Sequence, residues 1–158
     1  MGPRLVAWLE RTLEQDLRLT VNRTKTRVVR VSAPKQRLDF LGFTLRYQQD
    51  RFGRAGRYLA AGPSKRAQAR VREKVRGLTQ ASAKRSLPDT VAAVNQQLRG
   101  WRGYFAYGYP RPAFRAINHY VRVRFRCFLR NRSQRRSRPF RQGESLYAGL
   151  QRYGLQYL

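Results

Sequence analysis

The sequence predicts an α+β chain, with an N-terminal helix and a small antiparallel sheet followed by a basic bundle of three helices. Three observations carry this expectation. Apolar residues recur at helical spacing over 5–17 and from 64 to 131, they alternate over 39–47, and positive charge concentrates in the helical part. The chain has 158 residues, which suits one domain or two small packed units, since domains commonly run to ~100–200 residues. Its 35 Lys+Arg against 8 Asp+Glu give a net charge of +27. Hydrophobic residues at 41% and aromatics at 12% are enough for a core and exclude a wholly disordered basic tail.

Leu5, Trp8, Leu9, Leu13 and Leu17, with Glu10, Glu14 and Asp16 between them, predict an amphipathic helix of about four turns at ~3.6 residues per turn. Asn22 and Thr24 break the pattern. Arg27-Val28-Val29-Arg30-Val31 then reads as a strand, and residues 32–35 as a turn. Asp39, Leu41, Phe43, Leu45 and Tyr47 alternate along a second strand, with Phe40 and Gly42 on its other face. A third short strand, Arg57-Tyr58-Leu59, is expected to pair with the end of the second across a loop over 50–56.

Residues beyond 60 read as helical. Ser64 is the predicted N-cap of a helix with Ala67, Val71, Val75 and Leu78 on one face. A polar stretch over 79–86 ends it. Pro88-Asp89 opens the next helix, in which Val91, Val94, Leu98, Trp101 and Phe105 repeat at spacing 3-4-3-4, a packing seam between helices. A hinge at Gly108-Tyr109-Pro110 precedes the longest helix, 111–131, whose broad apolar face holds Phe114, Ile117, Tyr120, Val121, Phe125, Phe128 and Leu129. Arg115, Arg122, Arg126 and Arg130 fall within roughly 80° on its other side at about 100° per residue, whereas Arg124 falls inside the apolar arc. Residues 132–141 are basic and broken by proline, and a last short helix is expected within 144–158 around Leu146, Tyr147, Leu150 and Tyr153.

Several chemistries are excluded or disfavoured. No apolar run of about 18 residues is present, so no membrane span is predicted, and the start Met1-Gly2-Pro3-Arg4 has no secretory pattern. A soluble protein of the bacterial cytoplasm is the expectation. One cysteine, Cys127, and one histidine, His119, exclude a disulfide framework and a multi-cysteine zinc site within the chain. His119 reads as a surface or packing residue, and Cys127 as a small, at least half-buried one. The acids stand mostly alone, with no Asp-Asp or Asp-x-Asp, and two-metal phosphoryl transfer needs clustered carboxylates. No catalytic residue, metal or cofactor is assigned.

Charge and aromatics point to nucleic acid. Arginine makes up 30 of the 35 basic residues, and its planar fork pairs with phosphate and stacks on bases. Arginine-favouring codon usage would also produce this bias. The basic residues spread over several elements, which disfavours an anionic membrane surface as the partner. Residues 1–60 carry 13 basic and 5 acidic residues, net +8, whereas residues 61–158 carry 22 and 3, net +19. From Arg111 to Arg141 there are eleven arginines and no acid; such like charges repel one another, and a polyanion relieves the repulsion. Trp101, Tyr104, Phe105, Tyr107 and Tyr109 crowd one stretch beside Arg99, Arg102 and Arg111, as unpaired bases require. Trp101 and Phe105 lie on the seam and read as core. Tyr104, Tyr107 and Tyr109 lie off it and read as contacts. The candidate RNA-binding set is Lys65, Arg66, Arg70, Lys74, Arg99, Arg102, Tyr104, Arg111, Arg115, Arg122, Arg126, Arg130, Arg135 and Arg136.

These residues also carry a family resemblance. Val21-Asn22-Arg23-Thr24-Lys25-Thr26 and Phe40-Leu41-Gly42-Phe43-Thr44 resemble the end of the palm of bacterial group II intron reverse transcriptases. Pro63-Ser64-Lys65 and Leu98-Arg99-Gly100-Trp101-Arg102-Gly103-Tyr104-Phe105 resemble their maturase-specific thumb, domain X. Residues 113–122, 143–147 and 153–158 look similar too. The resemblance implies an α+β chain divided into a palm end at 1–60, thumb helices at 61–131 and a basic C-terminal segment at 132–158. It places Asn22 and Lys25 in the palm, with Lys25 near the phosphates of an incoming nucleotide, and Phe40, Leu41 and Gly42 in the segment that grips the primer. Gly103 stands where the family pattern has asparagine.

The family's proteins bind their mobile intron's RNA, assist its splicing and copy it into DNA. The resemblance therefore implies group II intron RNA as partner, with an RNA–DNA duplex as a second ligand. Mg2+ would be required only by a full reverse transcriptase or by the intron RNA. The fingers, most of the palm and the Tyr-x-Asp-Asp motif do not occur in this sequence, nor does a Cys/His endonuclease module. The expectation is a maturase fragment that binds intron RNA and does not polymerise alone. The alternatives are the C-terminal half of a split enzyme, completed by a fingers-and-palm polypeptide, and a non-specific basic nucleic-acid binder.

Overall fold

The computed structural model describes residues 3–26, 28–33, 35–50, 56–80, 85–131 and 143–158. It divides into two compact units, Met1–Arg30 and Val31–Leu158.

In the first unit, helix α1 (Pro3–Arg11) runs into a π-helical turn, Thr12–Asp16. The wider winding shows in Leu17 N–H donating to the Thr12 carbonyl at 3.2 Å, five residues back. The predicted four-turn α-helix is thus α-helical only through Arg11. Arg18, at φ 52°, ends the helical winding, and Leu19 N–H donates to the Leu13 carbonyl at 2.9 Å. Asn22 organises the next turn: its Oδ1 accepts from Lys25 N–H at 3.1 Å and from the Thr24 hydroxyl at 2.6 Å. No described residue of this unit is buried. The strand expected over 27–31 does not form. Residues 28–30 have no regular structure, residues 31–33 turn, and Arg27 lies outside the described residues. Strand preference is realised through cross-strand neighbours, and Val28 and Val29 have none in the sheet.

The second unit opens with that sheet, β1 (Leu38–Phe40), β2 (Phe43–Gln49) and β3 (Arg57–Pro63), in the order β1-β2-β3 with both pairs antiparallel. The predicted single strand over 39–47 is instead a hairpin. Leu41 and Gly42 take φ of 47° and 82°, the positive values of a two-residue hairpin turn whose twist matches its strands. Phe40 therefore faces Phe43 across the ladder. The third strand pairs with the second as expected and runs on to Pro63. Residues 51–55 of the connecting loop are outside the described set, as is Pro34 of the turn at 32–35.

Helices α2 (Lys65–Leu78), α3 (Leu87–Phe105) and α4 (Arg111–Asn131) follow the predicted periods. Ser64 caps α2 by accepting from Ala67 N–H at 3.1 Å, and Ser86 caps α3 by accepting from Asp89 N–H at 3.2 Å. Each cap satisfies one of the donors that a helix start leaves without a partner. One core joins the three helices: Val71 and Val75 from α2, Leu87, Val91, Val94 and Leu98 from α3, and Ile117, Val121, Phe125 and Phe128 from α4. Arg124 enters the apolar arc because it has polar work there. Its Nε donates to the Thr79 hydroxyl at 3.0 Å and its Nη2 to the Thr79 carbonyl at 3.3 Å, at the C-cap of α2. The predicted end of α2 near 79 holds, while residues 81–84 lie outside the described set.

Helix α5 (Leu146–Arg152) is the expected last short helix, and it adds Leu150 and the following Leu155 to the core. Two asparagines pin the chain end. Asn118 donates to the Leu158 carbonyl and accepts from its N–H at 3.1 and 3.0 Å. Asn95 does the same for Gly154 and Gln156 at 2.8 and 2.9 Å. Among the described residues, no helix is long and apolar enough to cross a membrane.

Candidate nucleic-acid interface

The site begins at the hairpin tip. Gly42 is left-handed, and a Cβ there would sit 3.3 Å from the Phe105 ring. Its carbonyl accepts from Ser64 N–H at 2.8 Å, at the start of α2. The Leu41 carbonyl accepts from the Tyr104 hydroxyl at 2.8 Å, at the end of α3. Phe43 completes the contact, with its ring centroid 4.9 Å from that of Phe105 and 5.7 Å from that of Tyr104. The Phe-Leu-Gly segment is therefore fastened to the first turn of α2 and the last turn of α3.

From this tip a groove of about 830 Å3 runs between α2 and α3. Arg70 and Lys74, one turn apart on α2, form one wall, with Gln96, Gln97 and Gly100 of α3 opposite and Trp101 and Tyr104 at the tip end. Residues four apart on a helix are surface neighbours, so the two cations present paired charge along one edge. No acidic residue lines this groove. A Cβ at Gly100 would meet nothing within 4 Å. Trp101 packs on Phe105, which also lines the groove, and on Phe114 behind it, with centroids 4.9 and 5.5 Å apart. Phe105 is buried core, as its spacing predicts, while Trp101 is half-buried and shared between core and groove.

The structure brings three of the candidate residues, Arg70, Lys74 and Tyr104, together in the groove with Leu41 and Gly42. A second concavity gathers Arg122 and Arg126. Lys65, Arg66, Arg99, Arg102, Arg111, Arg115 and Arg130 are exposed on their helices and converge on neither. Arg135 and Arg136 lie outside the described residues, as does the rest of 132–142. Asn22 and Lys25 belong to the first unit, where Asn22 holds the turn and Lys25 is exposed; Phe40 is 60% exposed beside the hairpin tip. Of the off-seam tyrosines, Tyr107 is freely exposed. Tyr109, 56% exposed, also packs its ring at a tilt against Tyr58, centroids 4.9 Å apart, and its N–H donates to the Ala61 carbonyl at 2.7 Å.

Not every arginine is available. Arg72 lies over the Tyr120 ring at 5.8 Å, a cation–π contact, and Arg124 is spent on Thr79. Arg152 pairs with Glu144 at 2.9 Å. At the C-terminus, burial pushes the Tyr157 hydroxyl above its ordinary value, helped by Tyr147, while Arg122 opposes the shift. Among the described residues, no group of three His, Cys, Asp or Glu is placed to hold a metal.

Sequence reasoning missed Gln96, Gln97 and His119. The glutamines carry no charge signal and become wall residues only when α2 packs on α3. His119 was recoverable, because it falls in the middle of the Arg115–Arg130 face at about 100° per residue.

Residues 68–144 match the family model described as group II intron, maturase-specific domain. The match covers nearly all of α2 and the whole of α3 and α4, including both helical walls of the groove. No curated protein matches the chain.

Proposed function

We propose, from the match of residues 68–144 to the maturase-specific domain of group II intron proteins, that the chain binds group II intron RNA and assists its folding and splicing. The observation that carries this reading is the groove, in which Arg70 and Lys74 face an acid-free wall containing Gln96, Gln97 and Gly100, with Tyr104 at its end. Cations along an open edge release the counter-ions condensed on an RNA backbone, which gives affinity that falls with salt. Shape then supplies selectivity. A groove of fixed width, held by the Tyr104–Leu41 and Ser64–Gly42 hydrogen bonds, admits a backbone of matching curvature, and RNA is recognised largely through shape, its 2′-hydroxyls and its phosphates.

The role is that of a binding protein. What supports this is that the eight acidic residues include no adjacent pair and no Asp-x-Asp, whereas two-metal polymerisation needs clustered carboxylates. The exposed arginines of α3 and α4 extend the phosphate-contacting surface beyond the groove.

The test is a double variant, Arg70→Gln with Lys74→Gln, titrated with folded intron RNA at several salt concentrations. Each phosphate contact contributes about 0.7–0.9 to the slope of log K against log salt, so the double variant should lower that slope by roughly 1.4–1.8 and weaken binding. An unchanged slope and affinity would remove the groove from the interface.

A further inference from the structure

On α4, Arg115, His119, Arg122, Arg126 and Arg130 share one face within roughly 80° at about 100° per residue, opposite the buried Ile117, Val121 and Phe125. The start of α5 lies beside the middle of this face. Between them is a concavity of about 410 Å3, lined by His119, Arg122, Val123 and Arg126 from α4 and by Ser145, Leu146 and Tyr147 from the other side. It shares no residue and no element with the groove.

Its chemistry has two halves. One is cationic: Arg122 and Arg126, three and seven residues beyond His119 on the same helix face, with the one acid of 143–158, Glu144, engaged by Arg152. The other is a prepared aromatic platform. Tyr147 stacks on Tyr157 with centroids 4.7 Å apart and planes 9° apart, so one face of Tyr147 is covered. The side chain still lines the concavity and is 44% exposed. The platform is held from both ends: the Tyr147 hydroxyl accepts from Gln151 Nε2 at 3.2 Å, and Leu158, next to Tyr157, is pinned by Asn118. A ring fixed in advance costs little entropy when a ligand stacks on it. The volume lies near the lower end of the ~300–1,000 Å3 of small-ligand sites, which suits one base and not a base pair.

We propose that this concavity holds one unpaired nucleotide of RNA, its base stacked on Tyr147 in continuation of the Tyr157–Tyr147 stack and its flanking phosphates on Arg122 and Arg126. His119 sits at the rim as a further donor. The proposal rests on the reading of the chain as an RNA binder and adds a second, base-receiving site built on different helices from the groove. A protein with both sites engages two parts of one folded RNA, a backbone in the groove and an extruded base at α4–α5.

The test uses the whole chain with two probes of equal length, a single-stranded RNA carrying 5-iodouridine and a fully paired RNA. Irradiation of the single-stranded complex should cross-link the RNA to Tyr147, identified by mass spectrometry. Base–aromatic stacking of the usual strength predicts that Tyr147→Ala weakens single-stranded binding by about tenfold and leaves paired RNA unaffected, while Tyr147→Phe retains both affinity and cross-link. Arg126→Gln, on an exposed face, tests the site independently of α5 packing and should lower the single-strand salt slope by about 0.7. If wild-type chain binds RNA yet Tyr147 is not cross-linked and neither Tyr147→Ala nor Arg126→Gln changes single-stranded affinity, the site is refuted and the RNA-binding reading stands. If wild-type chain binds neither RNA even at low salt, both fall together.

Discussion

The hydroxyl of Tyr104 donates a 2.8 Å hydrogen bond to the carbonyl of Leu41, joining the last turn of α3 to the tip of the β1–β2 hairpin across 63 residues of sequence. The bond lies at one end of the groove and fixes the position of the tip. Tyr104→Phe removes the donor and keeps the ring contacts with Phe43 and Phe105. It should cost about 0.5–1.5 kcal/mol in chemical denaturation, the usual net value of one hydrogen bond. Protection of the hairpin amides from hydrogen exchange should drop with it.

Leu41 occupies the left-handed region at φ 47° while 68% exposed, so it carries backbone strain without much burial in return. Left-handed backbone costs an ordinary L-residue roughly 1–2 kcal/mol, and asparagine tolerates it better. Leu41→Asn should therefore raise the melting temperature. A fall would mean that the exposed leucine makes a stabilising contact that outweighs the strain.

Gly100 stands in the interior of α3 with open space where its Cβ would be, and glycine there costs about 0.5–1 kcal/mol relative to alanine. Packing does not require it. Gly100→Ala should stabilise the fold by about that amount, whereas Gly100→Leu should fold normally and weaken RNA binding by filling the groove. Differential scanning calorimetry and a binding titration on the same two variants separate the effects. Full RNA affinity in Gly100→Leu would place the ligand elsewhere.

The Tyr157 hydroxyl is buried with no hydrogen-bond partner among the described residues, and burial raises its pKa above the ordinary value of 10.0. The folded state thus holds this proton more tightly than the unfolded chain does. The contribution to stability is full below the unfolded value and is lost as pH rises above it through the folded one. Tyr157→Phe also deletes a polar group that pays desolvation with no bond in return. The variant should be as stable as wild type or more so at pH 8, and it should lose less stability in denaturation at pH 10.5.

The helical half was legible because it is governed by local rules. Ser64 and Pro88 mark starts, and Val91, Val94, Leu98 and Phe105 keep the seam period. Arg124 broke the period on paper, and its reason lies in Thr79, 45 residues away, which no local window contains. The hairpin at Leu41-Gly42 was misread as continuous strand because leucine is a poor signal for positive φ and only Gly42 hinted at it. Val28 and Val29 have strand-like side chains, but a strand also needs a partner, which the residues themselves do not encode. The cationic half of the interface was visible as arginine count and face. The groove was not, since its walls meet only through the packing of α2 on α3 and the docking of the hairpin tip.

Recognition of group II intron RNA by the basic helical surface, as proposed, differs from a polyanion sink in how it responds to salt. The most direct measurement is a titration of the purified chain against folded group II intron RNA and a length-matched unrelated RNA, from about 100 to 500 mM salt, over which purely phosphate-driven binding collapses. Intron RNA should stay bound at salt concentrations that release the control. Two curves falling together would contradict it and leave the arginines as a generic phosphate-binding surface.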